Sequence, residues 1–403
     1  MKTPAWLRGI ARDPQAPPAR GAGAVPVYAG ALWTARQRQA SRLHEIAYRA
    51  CFKAQLPAFF IGRLTRPGDR VYDPFSGRGT TALEAALHGR RVAANDASPL
   101  ARLLVQPRLT VPALEAIEAR LADIPWSRTS GAAPDLSMFY HRNTLRELLA
   151  LRRYLALRAR RQEEDDVDSW IRMVATNRLS GHSPGFFSVY TLPPNQAVSR
   201  EDQRRINRRL HQRPDYRDVR ALILRKSRVL QSGLTPAVRR RLRAAAADAR
   251  FLTGPAAAVP DLRSGSVRLT VTSPPFLDVV NYAQDNWLRC WFNGLDAKQV
   301  GRGITMSRTV ADWQAAMQPV FAEICRVTEP GGWLAFEVGE VRKGAIRLED
   351  HVVPLGLAAG FRCEAVLINR QRFTKTANIW GVANNRLGTN SNRIVVFRKP
   401  APA

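Results

Sequence analysis

The clearest pattern of apolar and polar positions lies in the first quarter of the chain. A short β-branched and aromatic run over residues 70–73 predicts a strand that ends at Asp73. A glycine-containing stretch follows, and the apolar spacing over 80–87 predicts a helix that ends before Gly89. A second β-rich run over 91–95 completes the unit. Strand, glycine-rich turn, helix and strand in this order are typical of the opening of a parallel α/β sheet.

The pattern of apolar residues changes twice more along the chain, first to helical spacing and then back to strands. Apolar residues at helical spacing predict helices from 33 to 64, and long arginine-rich helices from 111 to 255. The alternation of predicted strands and helices then resumes with a β-rich run over 267–272. Further elements are expected downstream, namely strands over 333–339, 361–373 and 392–399, and a helix over 353–359. We therefore predict an α/β fold with a doubly wound, mostly parallel sheet, interrupted by a mainly helical basic insertion.

Four segments follow from this pattern. Residues 1–30, rich in Pro, Gly, Ala and Arg, are expected to form a flexible N-terminal leader. Residues 31–110 would form the first half of the α/β core, and 256–400 the second half. The insertion, 111–255, would lie between the two halves. A chain of 403 residues is long enough for a core with such an insertion.

The charge balance points to a polyanionic partner. The chain has 62 Lys and Arg against 33 Asp and Glu, a formal net charge of +29. A positive potential of this size attracts nucleic acid in a salt-dependent way, although a generally basic surface is the simpler alternative. Within the insertion, four arginines at helical spacing would contact phosphates or form an ordinary solvated helix face: Arg204, Arg205, Arg208 and Arg209.

Cellular placement is inferred from what the sequence contains. No apolar run approaches the roughly 20 residues that span a bilayer. The N-terminus has no apolar stretch of the kind found in secretory signals. The four cysteines are far apart and show no CxxC spacing, which suits a reducing compartment. A cytoplasmic location is the resulting prediction.

The first candidate for chemistry closes the strand that ends at Asp73. Two glycines there allow the backbone to approach a ligand at the N-terminus of a helix. The spacing also fits a dinucleotide fingerprint, which keeps a nicotinamide or flavin enzyme open, but the Lys-Ser/Thr pair of a nucleoside-triphosphate loop is missing. Asp96, at the end of the next strand, would accept hydrogen bonds from ribose hydroxyls or cap a helix. The candidate cofactor-binding residues are Asp73, Pro74, Phe75, Ser76, Gly77, Gly79, Thr80, Thr81 and Asp96.

The second candidate follows the strand over 267–272. Ser273, Pro274, Pro275 and Phe276 are expected at the carboxyl end of that strand, where open α/β sheets bind ligands. Two prolines hold the backbone rigidly, and an aromatic ring offers a stacking surface to a planar base. The Ser273 hydroxyl and the Pro274 carbonyl would accept hydrogen bonds from an aromatic amine and direct its lone pair at a methyl donor. A plain strand-ending turn is the alternative.

Together the two motifs resemble the amino-methylating DNA methyltransferases, which form N4-methylcytosine or N6-methyladenine. Residues 73–81 match the cofactor segment of that family, with Arg78 where the commonest form has Ser. Residues 273–276 match its catalytic tetrapeptide, with Phe276 where Tyr is usual. The resemblance covers roughly 40–110 and 256–400. It implies a Rossmann-like methyltransferase fold, S-adenosylmethionine as cofactor with Asp96 on its ribose, double-stranded DNA as partner, and a flipped target base.

Several points are not decided by the resemblance and depend on individual residues. Ser273 preceded by Thr resembles the cytosine-N4 form more than the adenine-N6 form. An amide-rich stretch around Asn378 would line the base pocket, or else form asparagine turns. A site-specific enzyme of this kind would act either beside a cognate restriction endonuclease or as an orphan methyltransferase. No metal is expected, since amino methylation needs none and the acidic residues over 163–168 lack a His cluster.

Three rival functions remain at this point. An RNA base-amine methyltransferase would use a similar Pro-Pro-aromatic tetrapeptide, but no RNA-binding module is recognisable. A DNA-binding protein with a degenerate methyltransferase fold would not need both motifs. A nicotinamide oxidoreductase would leave residues 273–276 without a purpose.

Overall fold

The structure, a computed structural model, describes residues 4–13, 25–33, 40–48, 51–127, 134–191, 198–275, 282–304, 307, 309–338, 347–370 and 391–401. In these ranges eight strands form one sheet. The strands are β1 (Val27–Gly30), β2 (Arg70–Asp73), β3 (Arg91–Asp96), β4 (Arg250–Thr253), β5 (Val267–Thr272), β6 (Thr328–Val338), β7 (Arg362–Arg370) and β8 (Ser391–Arg398).

The sheet is mostly parallel. Its strand order is β1-β7-β8-β6-β5-β2-β3-β4, and only β8 runs antiparallel to its neighbours β6 and β7. From β2 the chain winds one way through β3 and β4, and later the other way through β5 and β6. The carboxyl ends of β2 and β5 therefore flank the switch point of the topology, where open α/β sheets bind their ligands. The predicted fold class is confirmed.

Helices cover both faces of the sheet. They are α1 (Gln55–Leu64), α2 (Thr80–Leu87), α3 (Pro99–Val105), α4 (Leu114–Asp123), α5 (Arg142–Arg160), α6 (Asp166–Arg178), α7 (Arg200–Arg209), α8 (Val219–Gln231), α9 (Pro236–Ala247), α10 (Tyr282–Asn293), α11 (Ala297–Arg302), α12 (Val310–Val327) and α13 (Glu349–Ala358). Because side chains alternate along a strand, β6 contributes Trp333 and Ala335 to one apolar cluster, and Leu334 and Phe336 to another. Two apolar layers on either side of one sheet are the mark of a doubly wound fold.

The predicted leader is wrong where the structure describes it. Trp6 and Leu7 are buried, and the Trp6 ring lies 5.6 Å from that of Trp333 in an edge contact. Strand β1 pairs in parallel with β7 and lengthens the sheet at its edge. A few apolar side chains in a segment rich in Pro, Gly and Arg are enough to anchor it, because each buries a large area.

The helices expected from 33 to 64 are only partly present. Within the described part of that range, α1 is preceded by a single 3₁₀ turn, Arg42–His44, and by irregular backbone at 45–48 and 51–53. The carbonyls there accept hydrogen bonds from arginine side chains: Arg78 donates to His44 and Ile46, and Arg108 donates to Leu43. These guanidinium groups donate the hydrogen bonds that helical amides would otherwise supply. The segment can therefore bury its apolar side chains without forming a helix.

The insertion is helical, as expected, over α4 to α9, but its end differs. Strand β4 lies inside the range 111–255 and pairs with β3, so it belongs to the sheet. Two of its four residues are exposed and two are half-buried, so they give no apolar alternation that could reveal a strand. The Pro-Gly-Gly sequence over 330–332 is typical of a turn, but it lies within β6, which begins at Thr328 and pairs with β5 in an irregular register.

Candidate active site

The turn between β2 and α2 has the shape that its glycines require. Gly77 has φ +49° and Gly79 has φ +73°, both in the left-handed region that favours glycine. A Cβ atom on Gly79 would lie 2.2 Å from Cγ2 of Val105 in α3, so no other residue fits there. The Ser76 amide donates to the Asn95 carbonyl at 2.9 Å, which fixes the turn against the end of β3.

Asp96 closes this turn from the end of β3. Its carboxylate accepts hydrogen bonds from the backbone amides of Gly77 and Ser98, each at 2.8 Å. Burial raises the pKa of Asp96, and the two amides counteract that rise. The N-cap of α3 is Ser98 and not Asp96. A carboxylate fixed by two amides, with lone pairs left over, suits a ligand with hydroxyl groups.

Asp73 joins the two motifs beneath the surface. Its carboxylate accepts a hydrogen bond from the Thr272 hydroxyl at 2.6 Å and from the Phe75 amide at 3.1 Å. Burial raises the pKa of Asp73 to about 7. Thr81 adds a second link, because its hydroxyl donates to the Val271 carbonyl at 3.0 Å. The ends of β2 and β5 are thus held together by side chains, although the residues are about 200 positions apart.

Ser273, Pro274 and Pro275 follow the end of β5, as predicted. The indole Nε1 of Trp313 in α12 donates to the Pro275 carbonyl at 3.1 Å and fixes the direction of this segment. Pro274 is buried and Ser273 is half-buried. Phe276 and the residues up to 281 lie outside the described residues, as does Asn378.

A cavity of about 300 Å³ brings the two motifs together. From the first motif, Pro74, Phe75, Gly77 and Asp96 line it, and from the second Ser273, Pro274 and Pro275. Other predicted residues lie behind this wall: Asp73, Ser76, Gly79, Thr80 and Thr81 are not among its lining residues. Its size falls within the range of small-molecule sites, roughly 300–1,000 Å³.

Several lining residues were missed from the sequence. Glu337 is the last residue but one of β6 and lies next to the end of β5, since Thr272 pairs with Phe336. Its signal was a lone carboxylate in the otherwise apolar run WLAFEV at the carboxyl end of a strand. Tyr48 forms another wall, where it also contacts Gly77. Residues 255–257 contribute a third, after the strand that the pattern did not reveal.

The four predicted arginines lie on α7, two of them beside acids. Arg204 pairs with Asp135 at 2.9 Å, and Arg205 with Asp202 at 3.1 Å. Arg208 and Arg209 are exposed at the end of the helix. These contacts leave the predicted role on DNA untested.

The aromatic pair at 186–187 acts as a loop anchor. Phe186 and Phe187 are buried, and a Cβ atom on Gly181 would lie 2.3 Å from the Phe186 ring. Exposed aromatic side chains would be available to bases, whereas the burial of these two rings indicates that they anchor the loop. Among the described residues, none of the groups of His, Cys, Asp and Glu could hold a metal ion. The described helices also include none long and apolar enough to cross a membrane.

Comparison with known families agrees with the first motif. Residues 24–101 match the family model N6_N4_Mtase, described as DNA methylase. The resemblance inferred from the sequence is confirmed over this segment. It contains the turn at 73–81 and Asp96, whereas Ser273 lies outside it.

Solved structures give weaker likenesses. One is an S-adenosylmethionine-dependent methyltransferase from Methanosarcina mazei, with 10% identity and a TM-score of 0.32 over 85% of this chain and 98% of that one. Another is a provisionally assigned DNA modification methylase from Thermus thermophilus in complex with S-adenosyl-L-methionine, with 22% identity and a TM-score of 0.24 over 37% of this chain and 55% of that one. No curated protein sequence matches the chain.

Proposed function

We propose that this protein is an S-adenosylmethionine-dependent DNA methyltransferase that methylates the exocyclic amino group of a base, with cytosine N4 preferred over adenine N6. One observation carries the proposal: Gly77 and Asp96 line the same cavity as Ser273 and Pro274. A cofactor turn and an amine-binding tetrapeptide in one cavity are what methyl transfer requires. The match of residues 24–101 to a DNA methylase model and the charge of +29 support DNA as the substrate.

The described residues fit the proposed cofactor. Asp96 would bind the ribose hydroxyls of S-adenosylmethionine, and Pro74, Phe75 and Gly77 would form the floor under it. When bound, the cofactor supplies an electrophilic methyl group on a positively charged sulfur. Asp73 would not touch it, because that side chain is 1% exposed and bonded to Thr272.

The target amine would be held by the tetrapeptide. The lone pair of an aromatic amine is delocalised into the ring, which makes the nitrogen a poor nucleophile. The Ser273 hydroxyl and the Pro274 carbonyl accept its two N–H bonds and favour a pyramidal nitrogen, whose lone pair then faces the methyl group. In this transfer a new N–C bond would form as the S–C bond breaks, which would leave a neutral thioether, and the nitrogen would release one proton to solvent. The base must leave the duplex to reach this cavity.

The finer assignments rest on fewer residues. Cytosine N4 is proposed because Ser273 occupies the first tetrapeptide position with Thr272 before it. A restriction endonuclease partner and a cytoplasmic location remain predictions from the resemblance and the composition.

The test is a methyl-transfer assay with purified protein. Mixed-sequence duplex DNA is incubated with methyl-labelled S-adenosylmethionine, digested to nucleosides and analysed by mass spectrometry. Label in N4-methylcytosine is expected. Label in N6-methyladenine would overturn the base assignment alone, and label only in an RNA control would overturn the DNA assignment.

Two matched variants separate cofactor binding from transfer. Ser273→Ala should lower kcat by about 10²-fold or more while cofactor affinity stays unchanged, because it removes an acceptor used in the transition state. Asp96→Asn should weaken cofactor binding by roughly tenfold to a hundredfold, because it removes a charged hydrogen-bond acceptor. Calorimetry gives the affinities. Full activity in the Ser273 variant would contradict its assigned role.

A further inference from the structure

A cluster of basic side chains lies beside the cavity, where the insertion meets the core. We call Arg178, Arg225, Lys226 and Arg289 the junction cluster. Arg178 ends α6, Arg225 and Lys226 lie on α8, and Arg289 lies on α10. The α7 arginines predicted from the sequence are not part of it.

Two members of the junction cluster are buried. Arg178 is 8% exposed, and its guanidinium carbon lies 3.9 Å from the centre of the Phe186 ring. One of its nitrogens donates to Asn177 at 2.7 Å, whereas its buried Nε has no hydrogen-bond partner. Arg289 is 9% exposed and donates to the Ala47 carbonyl and to Asn286. Buried cations of this kind are normally paired with acids.

The acids near the cluster do not balance it. Lys226 lies 3.5 Å from Glu45, which also pairs with Arg42, and Asp285 lies near Arg289. Burial, with the neighbouring charges of Arg289 and Arg225, lowers the pKa of Arg178 to about 10. Burial and the charge of Arg178 lower the pKa of Lys226 to about 8. Positive charge is thus concentrated here beyond what the described carboxylates neutralise.

The cluster adjoins the wall of the cavity. The Arg289 guanidinium lies 5.6 Å from the centre of the Tyr48 ring, and Tyr48 lines the cavity. Arg225 is exposed and donates a long hydrogen bond of 3.4 Å to the Pro184 carbonyl. An anion bound at Arg225 and Lys226 would therefore also be attracted by the buried charges of Arg178 and Arg289, which solvent screens only weakly.

We propose that the junction cluster binds a backbone phosphate of the DNA, next to the nucleotide whose base enters the cavity. Arg225 and Lys226 contact the phosphate oxygens, while Arg178 and Arg289 supply potential from below. Arginine is suited to this task because its planar guanidinium can bind a phosphate through two nitrogens. This inference rests on the proposed function and adds the phosphate contact that positions the substrate.

The test compares Arg225→Gln and Lys226→Gln with a matched control, Arg243→Gln. Arg243 is an exposed arginine on α9 that does not line the cavity. Binding of a fluorescent mixed-sequence duplex is measured from low to moderate salt, together with kcat and KM for methyl transfer. Each cluster variant should reduce the slope of log affinity against log salt by about 0.9 and raise KM for DNA more than it lowers kcat. Cofactor affinity should stay at the wild-type value.

The outcomes separate this inference from the proposed function. If the wild-type protein methylates DNA and the cluster variants keep its salt slope and KM, the phosphate site is wrong and the function stands. An equal loss in Arg243→Gln would show a diffuse effect of charge and would also overturn the site. Absence of DNA binding by the wild-type protein would remove both.

Discussion

Asp73 illustrates how one residue can belong to a motif without lining the cavity that the motif helps to form. Its carboxylate lies behind Pro74 and holds Thr272, so that the turn after β2 and the end of β5 keep a fixed separation. The first residue of the predicted cofactor segment therefore links two strands of the sheet.

A pH dependence of stability follows from this burial. The pKa of Asp73 is about 7 in the folded protein, against 3.8 for an ordinary aspartate. Between these values the folded state holds a proton that the unfolded state has lost, so the stability of the ligand-free protein should fall as pH rises from about 4 to about 7. The loss due to this group is at most about 4 kcal/mol.

Asp73→Asn checks the assignment. Its neutral side chain should remove this part of the pH dependence, as measured by urea unfolding at several pH values between 4 and 8. The matched control is Asp261→Asn, an exposed aspartate whose change should leave the slope intact. An unchanged slope in the Asp73 variant would contradict the raised pKa.

Among the residues that line the cavity, Gly77, Asp96 and Ser273 were predicted from the sequence, whereas Glu337 and Tyr48 were not. The first three belong to local patterns in which spacing and residue type carry the information. Glu337 is brought to the cavity by pairing between β5 and β6, and Tyr48 by irregular backbone held by side chains. Neither contact can be derived from spacing along the chain.

Among the elements, the turn that ends at Gly79 is the most constrained. Its backbone is left-handed and its Cα hydrogen faces Val105, so the close approach of α2 and α3 depends on a missing side chain. The helix and both strands around it were predicted almost to the residue, because the strand, turn and helix signals agree with one another there.

Gly79→Ala should destabilise the protein by several kcal/mol, through a steric clash added to backbone strain. Gly233→Ala is the matched control. Gly233 has φ +81° but open space around the position of a Cβ atom, so it should show only the strain, about 1–2 kcal/mol. Thermal unfolding of both variants gives the comparison, and equal losses would show that the contact with Val105 is unimportant.

On the scale of the whole molecule, the sheet could be predicted and its edges could not. The central strands are apolar and pair with neighbours on both sides, so their composition identifies them. The edge strands β1 and β4 have four residues each and lie in segments of other character, an Arg- and Pro-rich N-terminus and an Arg-rich insertion. What makes them strands is the neighbour that they pair with.

The irregular segment around Ala47 belongs to two parts of the molecule at once. Asn177 of the insertion accepts from the Ala47 amide and donates to its carbonyl, and Arg289 of the junction cluster donates to the same carbonyl. The next residue, Tyr48, is a wall of the cavity. Anything that orders the insertion would therefore also order this wall of the cavity.

Thermodynamic linkage allows the coupling between the insertion and this wall of the cavity to be measured. If DNA steadies the insertion, it should tighten cofactor binding by about fivefold or more, and the cofactor must then tighten DNA binding by the same factor. Calorimetric titration of S-adenosylmethionine with and without duplex would reveal the coupling, and Asn177→Ala should reduce it more than it reduces either affinity alone. Identical cofactor affinities in the two titrations would show that the wall is rigid. The few hydrogen bonds that hold Ala47 would thus make the affinity for DNA depend on whether the cofactor is bound.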